Sequence, residues 1–140
     1  MTKIVGLALA VIVTVTGGTA GAEDLTGATH LVCAAVLATE CFEDGGCEGD
    51  VPWNLNIPEF IEIDIEAKRL KTTEASGLNR ATDVDHLQHV GGLIILQGFE
   101  NARAFSFVIS EDTGHLSVAI ATEGKAVAIF GTCTPMASEK

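Results

Sequence analysis

The chain has 140 residues, enough for one domain, and 47% of them are hydrophobic. It carries 19 acidic residues against 8 basic ones, a formal net charge of −11 at pH 7. A chain this acidic is repelled by nucleic acid and by anionic membrane surfaces, which removes both partner classes.

The first element is "MTKIVGLALAVIVTVTGGTAGAED". Lys3 gives a short positive start, Ile4 to Val15 is an almost unbroken apolar run, and Ala20-Gly21-Ala22 is a small-residue cleavage pattern. This is the layout of a secretory signal peptide, cut after Ala22. A spanning helix needs about 20 apolar residues. This run is shorter and ends in glycines, so no stable membrane insertion is expected after cleavage. The expected product is a single domain, residues 23–140, periplasmic or secreted. Loss of Lys3 leaves 7 basic against 19 acidic residues, a net charge of −12. If charge selects a protein partner, that partner is cationic; solubility is the plainer reason for the charge. Nothing in the sequence sets an oligomeric state.

Residues 28–42, "ATHLVCAAVLATECF", read in two ways. Alanine and leucine propensity allows a helix of about three turns. The alternative is a strand with Leu31, Cys33, Ala35 and Leu37 on one face. The strand is preferred, because a Cys33–Cys133 link would set it beside the last strand.

The stretch "ECFEDGGCEGD" (Glu40 to Asp50) follows, with two of the four cysteines. An even cysteine count in an exported domain points to disulfides, and four cysteines allow three connectivities. Cys41–Cys47 with Cys33–Cys133 is the preferred pairing, since Gly45 and Gly46 permit a tight reversal between Cys41 and Cys47. A zinc site would want closer cysteines and two further ligands. A redox centre would want C-x-x-C beside a βαβ unit. The EF-hand order of carboxylates is missing, which leaves Glu43, Asp44, Glu48 and Asp50 only a weak Ca²⁺ alternative. A disulfide-closed acidic surface loop is the expectation.

"VPWNLNIPEF" is a loop fixed by Pro52 and Pro58, with Trp53 expected to plug one end of the core. Beyond it the sequence alternates at the strand period. "FIEIDI", "RLKTTEA", "GLIILQG", "AFSFVI", "HLSVAIA" and "AVAIF" are separated by breaks that include Glu66-Ala67, Val90-Gly91-Gly92, Glu100-Asn101-Ala102, Glu111–Gly114 and Glu123-Gly124. "GLIILQG" is apolar on both faces and is expected to be central or doubly covered. The fold class is all-β: an antiparallel meander of about eight strands closing into a small barrel. The alternative is an open meander packed on one N-terminal helix. Inward residues such as Phe105, Phe107, Leu116 and Ile129 imply a filled interior.

The stretches "TECFEDGGCEGD", "LNIPEFIEIDIEAK" and "LIILQGFENARAFSFVISEDTGHLSVAIATEGKAVAIFGTC" together resemble an uncharacterised family of small exported proteobacterial β-proteins. That resemblance implies a signal peptide, a cysteine-bounded loop and a closing "FG-x-C", and it brings no activity, substrate or cofactor. The family's hairpin reads Glu-Asn-Gly where this chain has Ala102. A type I′ turn there would place alanine at positive φ, at a cost of ~1 kcal/mol, so either the turn type differs or the hairpin is slightly strained. In size, compartment and strand pattern the chain is also similar to periplasmic inhibitors of C-type lysozyme. It lacks their inhibitory motifs and has no tyrosine.

For chemistry, "DVDHLQH" sets His86 and His89 near Asp83 and Asp85. On a helix the two histidines would share a face; on a strand, a spacing of three sends them to opposite faces, which weakens a metal site. No serine lies in a G-x-S-x-G context, the cysteines are committed to disulfides, and no phosphate-binding glycine loop is present. No enzyme activity, cofactor or resident metal is expected. The expected function is a non-catalytic binding or interaction module. A small-ligand or metal-binding barrel and a lysozyme-inhibitor-like protein are the alternatives. Trp53 and the two loops Glu40–Asp50, with Glu43 and Asp44, and Asn79–Gly92, with His86 and His89, form the candidate contact surface.

Overall fold

The structure, a computed structural model, describes residues 23–137. The signal peptide and cleavage point expected from the sequence fall outside the described residues. Ten strands follow one another: β1 (His30–Phe42), β2 (Cys47–Asp50), β3 (Phe60–Asp64), β4 (Arg69–Thr72), β5 (Ala81–Asp83), β6 (His86–Val90), β7 (Leu93–Glu100), β8 (Arg103–Ser110), β9 (His115–Thr122) and β10 (Lys125–Pro135). Short 3-10 turns occupy Pro52–Leu55 and Glu74–Ser76. "RLKTTEA" is therefore a strand only as far as Thr72.

The sheet order is β5-β4-β3-β1-β10-β9-β8-β7-β6, with antiparallel neighbours throughout. β1 carries β3 along its first half and β2 along its second, both on the side away from β10. The all-β meander is thus present, and residues 30–42 are strand rather than helix. β7 lies one place in from an edge, not at the centre of the sheet. The sheet curls into a half-barrel. Full closure by a ladder is not reached: β5 and β6 are the two edges of the sheet and do not pair with each other. Val84 and Asp85 join them, Val84 N–H donating to the Lys68 carbonyl (2.8 Å) and Asp85 N–H to the Gln97 carbonyl (3.0 Å).

Alternation decides which side chains enter the core. Phe105, Phe107 and Ile109 of β8, Leu116 and Val118 of β9, and Val127 and Ile129 of β10 are all buried, as a period of two requires. β1 obeys the rule only up to Ala35. A β-bulge between Ala35 and Leu37 shifts the parity by one residue, so that Ala38 is buried while Leu37 is 49% exposed. The expected shared face of Leu31, Cys33, Ala35 and Leu37 is corrected accordingly. Opposite the bulge stands Gly131, where a Cβ would collide with the Ala34 carbonyl oxygen. Only glycine lets β10 approach β1 that closely.

Both disulfides take the preferred pairing and join directly opposed strand residues. Cys33 on β1 is bonded to Cys133 on β10 with Cα atoms 4.0 Å apart, and Cys41 to Cys47 on β2 at 4.1 Å. No free cysteine is found among the described residues. Such bonds belong to an oxidising, non-cytoplasmic environment. No helix among the described residues is long and apolar enough to cross a membrane.

The hairpins follow their turn residues. Gly91 and Gly92 both have positive φ (59° and 76°), as a two-residue type I′ turn demands. Gly114 (67°) and Gly124 (73°) take the left-handed positions of their turns. The Asn101-Ala102 turn likewise has two positive φ values, 48° and 60°, and Glu100 pairs directly with Arg103. Alanine therefore does sit in the left-handed region. Left-handed alanine costs about 1 kcal/mol, and glycine's greater freedom in the unfolded chain offsets part of that. Ala102→Gly is expected to raise Tm by about 2 °C in a calorimetric scan. An unchanged or lowered Tm would show that this turn stores no strain.

Candidate functional site

The two ends of the half-barrel differ. At one end Leu25 acts as a plug: it is 1% exposed, and its N–H donates to the Glu111 carbonyl (2.7 Å) beyond the end of β8. Two histidine–carboxylate pairs lie at this closed end, His30 Nε2 with Asp64 (3.2 Å) and His89 Nδ1 with Glu111 (2.7 Å).

At the opposite end the interior is not filled. A cavity of about 130 Å³ runs inward from residues at the strand ends. Its depth is apolar, formed by Cys33, Leu70, Phe107, Leu116, Val118 and Ile129, all buried. Its shallower wall includes Ile57, Pro58 and Ile61, which are half-buried. The phenylalanines expected to fill the barrel line this space instead. Their rings meet edge to face at 5.7 Å, an arrangement their quadrupoles favour. Gly98 makes it possible, since a Cβ there would strike the Phe105 ring.

Polar groups gather at the lip. Thr72 Oγ1 accepts from the Arg80 N–H (2.9 Å), fixing the chain that enters β5. Thr82 Oγ1 donates to Glu100 Oε1 (2.7 Å). The other oxygen, Glu100 Oε2, lies 3.5 Å from an Nη2 of both Arg80 and Arg103. Lys71, also at the lip, pairs with Glu62 at 2.6 Å. An apolar pocket with a few convergent polar groups at its mouth is the usual form of a small-molecule site.

Of the residues proposed from sequence, the structure brings few together. His86 and His89 lie on β6 at the spacing that separates their faces, and His89 is engaged by Glu111. Asp83 lies 3.7 Å from Arg69. Among the described residues no group of three or more His, Cys, Asp or Glu side chains is placed to hold a metal. Trp53 does not plug the core. It is 54% exposed, and the neighbouring Pro52 is fully buried in its place, because the 3-10 turn points the indole outward. The stretch Asn79–Gly92 is largely strand, not loop.

Two carboxylates of the acidic stretch Glu40–Asp50 fix its backbone, Asp44 in the loop between β1 and β2 and Asp50 at the end of β2. Asp44 Oδ1 accepts from the Gly46 N–H (2.9 Å). Asp50 accepts from Asn54 Nδ2 (2.9 and 3.0 Å) and from the Val51 N–H (2.7 Å). The Asn54 side-chain bond and then the Val51 N–H hold the Asp50 carboxyl below the usual carboxylate range. A depressed pKa contributes stability above the unfolded carboxylate pKa and loses it as pH falls through the folded value. Asn54→Ala is expected to move the Asp50 titration midpoint upward, followed by carboxyl-carbon NMR between pH 2 and about 6. An unmoved midpoint would remove Asn54 as the cause.

The outward face of β7–β10 and the end of β1 has another character. Gln97, Ala104, Ser106, Ala119, Ala128 and Thr39 form a shallow uncharged trough there, with Phe99 and Phe130 exposed nearby. In so acidic a chain the charge has been kept off this face.

The lip was missed in the sequence reading. Glu100 and Arg103 are neighbours across a visible hairpin, but Arg80 and Thr82 reach them only because the sheet curls. Comparison of the chain with protein families, with characterised proteins and with solved structures finds no match.

Proposed function

We propose that the protein is an exported, non-catalytic binding protein, periplasmic or secreted, that holds the apolar part of a small molecule inside its half-barrel. The observation that carries this reading is the apolar cavity of about 130 Å³, open at the Arg80–Glu100 end and plugged by Leu25 at the other. An engineered apolar cavity of about 150 Å³ stays dry and takes benzene, so a group of roughly six carbons is the right size here. Burying such a group removes apolar surface from water at both partners. A ligand this small has an expected Kd on the order of 0.1–1 mM.

The test is titration calorimetry with hexan-1-ol on the mature protein, set beside Val118→Phe. Val118 lines the cavity on β9, and a phenyl ring there occupies the space without adding a charge. Binding to the native protein and its loss in a folded Val118→Phe variant are expected. Undiminished binding in that variant, or none in the native protein, would refute the interior site.

A further inference from the structure

We infer that the interior ligand is a short-chain amphipathic anion, a carboxylate whose head group is held at the lip by Arg80 and Arg103. This rests on the interior-site reading above and names the class of molecule that the site selects. The chain has three arginines, and two of them converge on a single oxygen of Glu100. Among the described residues Glu100 is the one carboxylate within ion-pair distance of either. Two guanidinium groups against one carboxylate leave a local charge of +1 at the rim of an apolar hole. The Lys71–Glu62 pair beside them adds nothing to that sum.

The contacts are also long. At 3.5 Å, each guanidinium stands well outside the 2.7–2.9 Å of a good charge-assisted bond. Each fork has five N–H donors and matches a carboxylate with two of them. A second carboxylate beside Glu100 brings the cluster to neutrality and needs no ejection of Glu100, whose other oxygen stays bonded to Thr82. Arg80 and Glu100 both line the cavity, so a head group on them points its chain inward toward Phe105 and Phe107.

The backbone gives an independent sign. Glu100 and Arg103 flank the Asn101-Ala102 turn, where alanine is held at φ 60°. Strain of this kind persists at sites where a side chain must be aimed, and here the turn fixes Glu100 directly opposite Arg103. The same curl sets Arg80 on the far edge of the sheet against them.

The experiment is calorimetry at pH 7 with three probes of equal chain length: hexanoate, hexan-1-ol and hexylammonium. Hexanoate is expected to bind about tenfold more tightly than hexanol, as a charge-assisted pair in a partly buried rim allows, and hexylammonium more weakly than hexanol. In Arg80→Gln/Arg103→Gln the lip keeps only the Glu100 charge, so hexanoate is expected to fall below hexanol and the order of the two probes to reverse. Both side chains are partly exposed, and an unchanged far-UV circular dichroism spectrum verifies the fold of the variant. Equal affinities for hexanoate and hexanol in the native protein would overturn the anion assignment and leave the interior site standing. A hexanoate preference that survives in the double variant would overturn the arginine assignment. Binding of none of the three would overturn both this inference and the interior site.

Discussion

Replacement of Cys33 and Cys133 together by alanine is expected to lower the unfolding free energy by about 4–5 kcal/mol. The bond spans 100 residues of chain, so its removal frees the largest loop that this fold closes. Both sulfurs are in the core, with the two residues 0% and 1% exposed, and they tie the first long strand to the last. A single domain is stable by only about 5–15 kcal/mol, so the variant should stand near the edge of folding. Cys41→Ala/Cys47→Ala provides the internal comparison. That bond closes a separation of 6 residues on the surface, and the same loop-entropy relation gives about 2 kcal/mol. Denaturant unfolding of the three proteins at neutral pH checks the order. A larger loss from the short loop than from the long one would contradict the role given to the β1–β10 seam.

The second large effect is expected at Gly131. A methyl group there meets the carbonyl oxygen of Ala34 and the Cα of Ala35, which are backbone atoms and cannot rotate away. The strands must separate locally where the bulge, the core and the Cys33–Cys133 bond coincide. Overpacking of this kind costs about 3 kcal/mol. Gly49 is the control, because its nearest neighbours are Thr39 Oγ1 at 3.6 Å and the Ala38 carbonyl at 3.8 Å, ordinary contacts. Gly49→Ala is expected to change stability by less than about 0.5 kcal/mol. Comparable losses at both positions would show that strand geometry, rather than the close approach, sets the cost.

Much of the fold was legible because strands alternate. "AFSFVI" and "HLSVAIA" announced their inward residues, and the glycine turns announced the hairpins. The Cys33–Cys133 pairing was preferred beside a glycine-turned Cys41–Cys47 loop, and it in turn argued for a strand at β1 next to the last strand. The parity break in β1 was not legible. It depends on Gly131, a residue of the last strand, and nothing within "CAAVLA" marks Val36 as the extra residue. Trp53 was misplaced for a related reason: size suggested burial, whereas the direction of a 3-10 turn decides which of Pro52 and Trp53 faces inward.

The candidate site was the least legible part. Interior phenylalanines suggested a filled barrel, and whether facing rings meet or leave a gap is fixed by curl, which composition does not encode. Gly98 carried a faint signal, since a glycine inside a strand marks a close approach. Arg80 lies on a chain edge whose contact with Glu100 arises only when β5 and β6 bridge the opening. The histidines drew attention because they are chemically versatile, but strand spacing places them apart.

The most direct test of an interior binding site is methyl NMR of the protein during titration with hexan-1-ol. Val118, Ile120 and Ile129 line the cavity, whereas Val36, Ile95 and Val108 lie on outward positions. Binding inside the half-barrel predicts saturable shifts of the first three methyl sets, with the second three still. Shifts confined to Val36, Ile95 and Val108, or none at all, would contradict it.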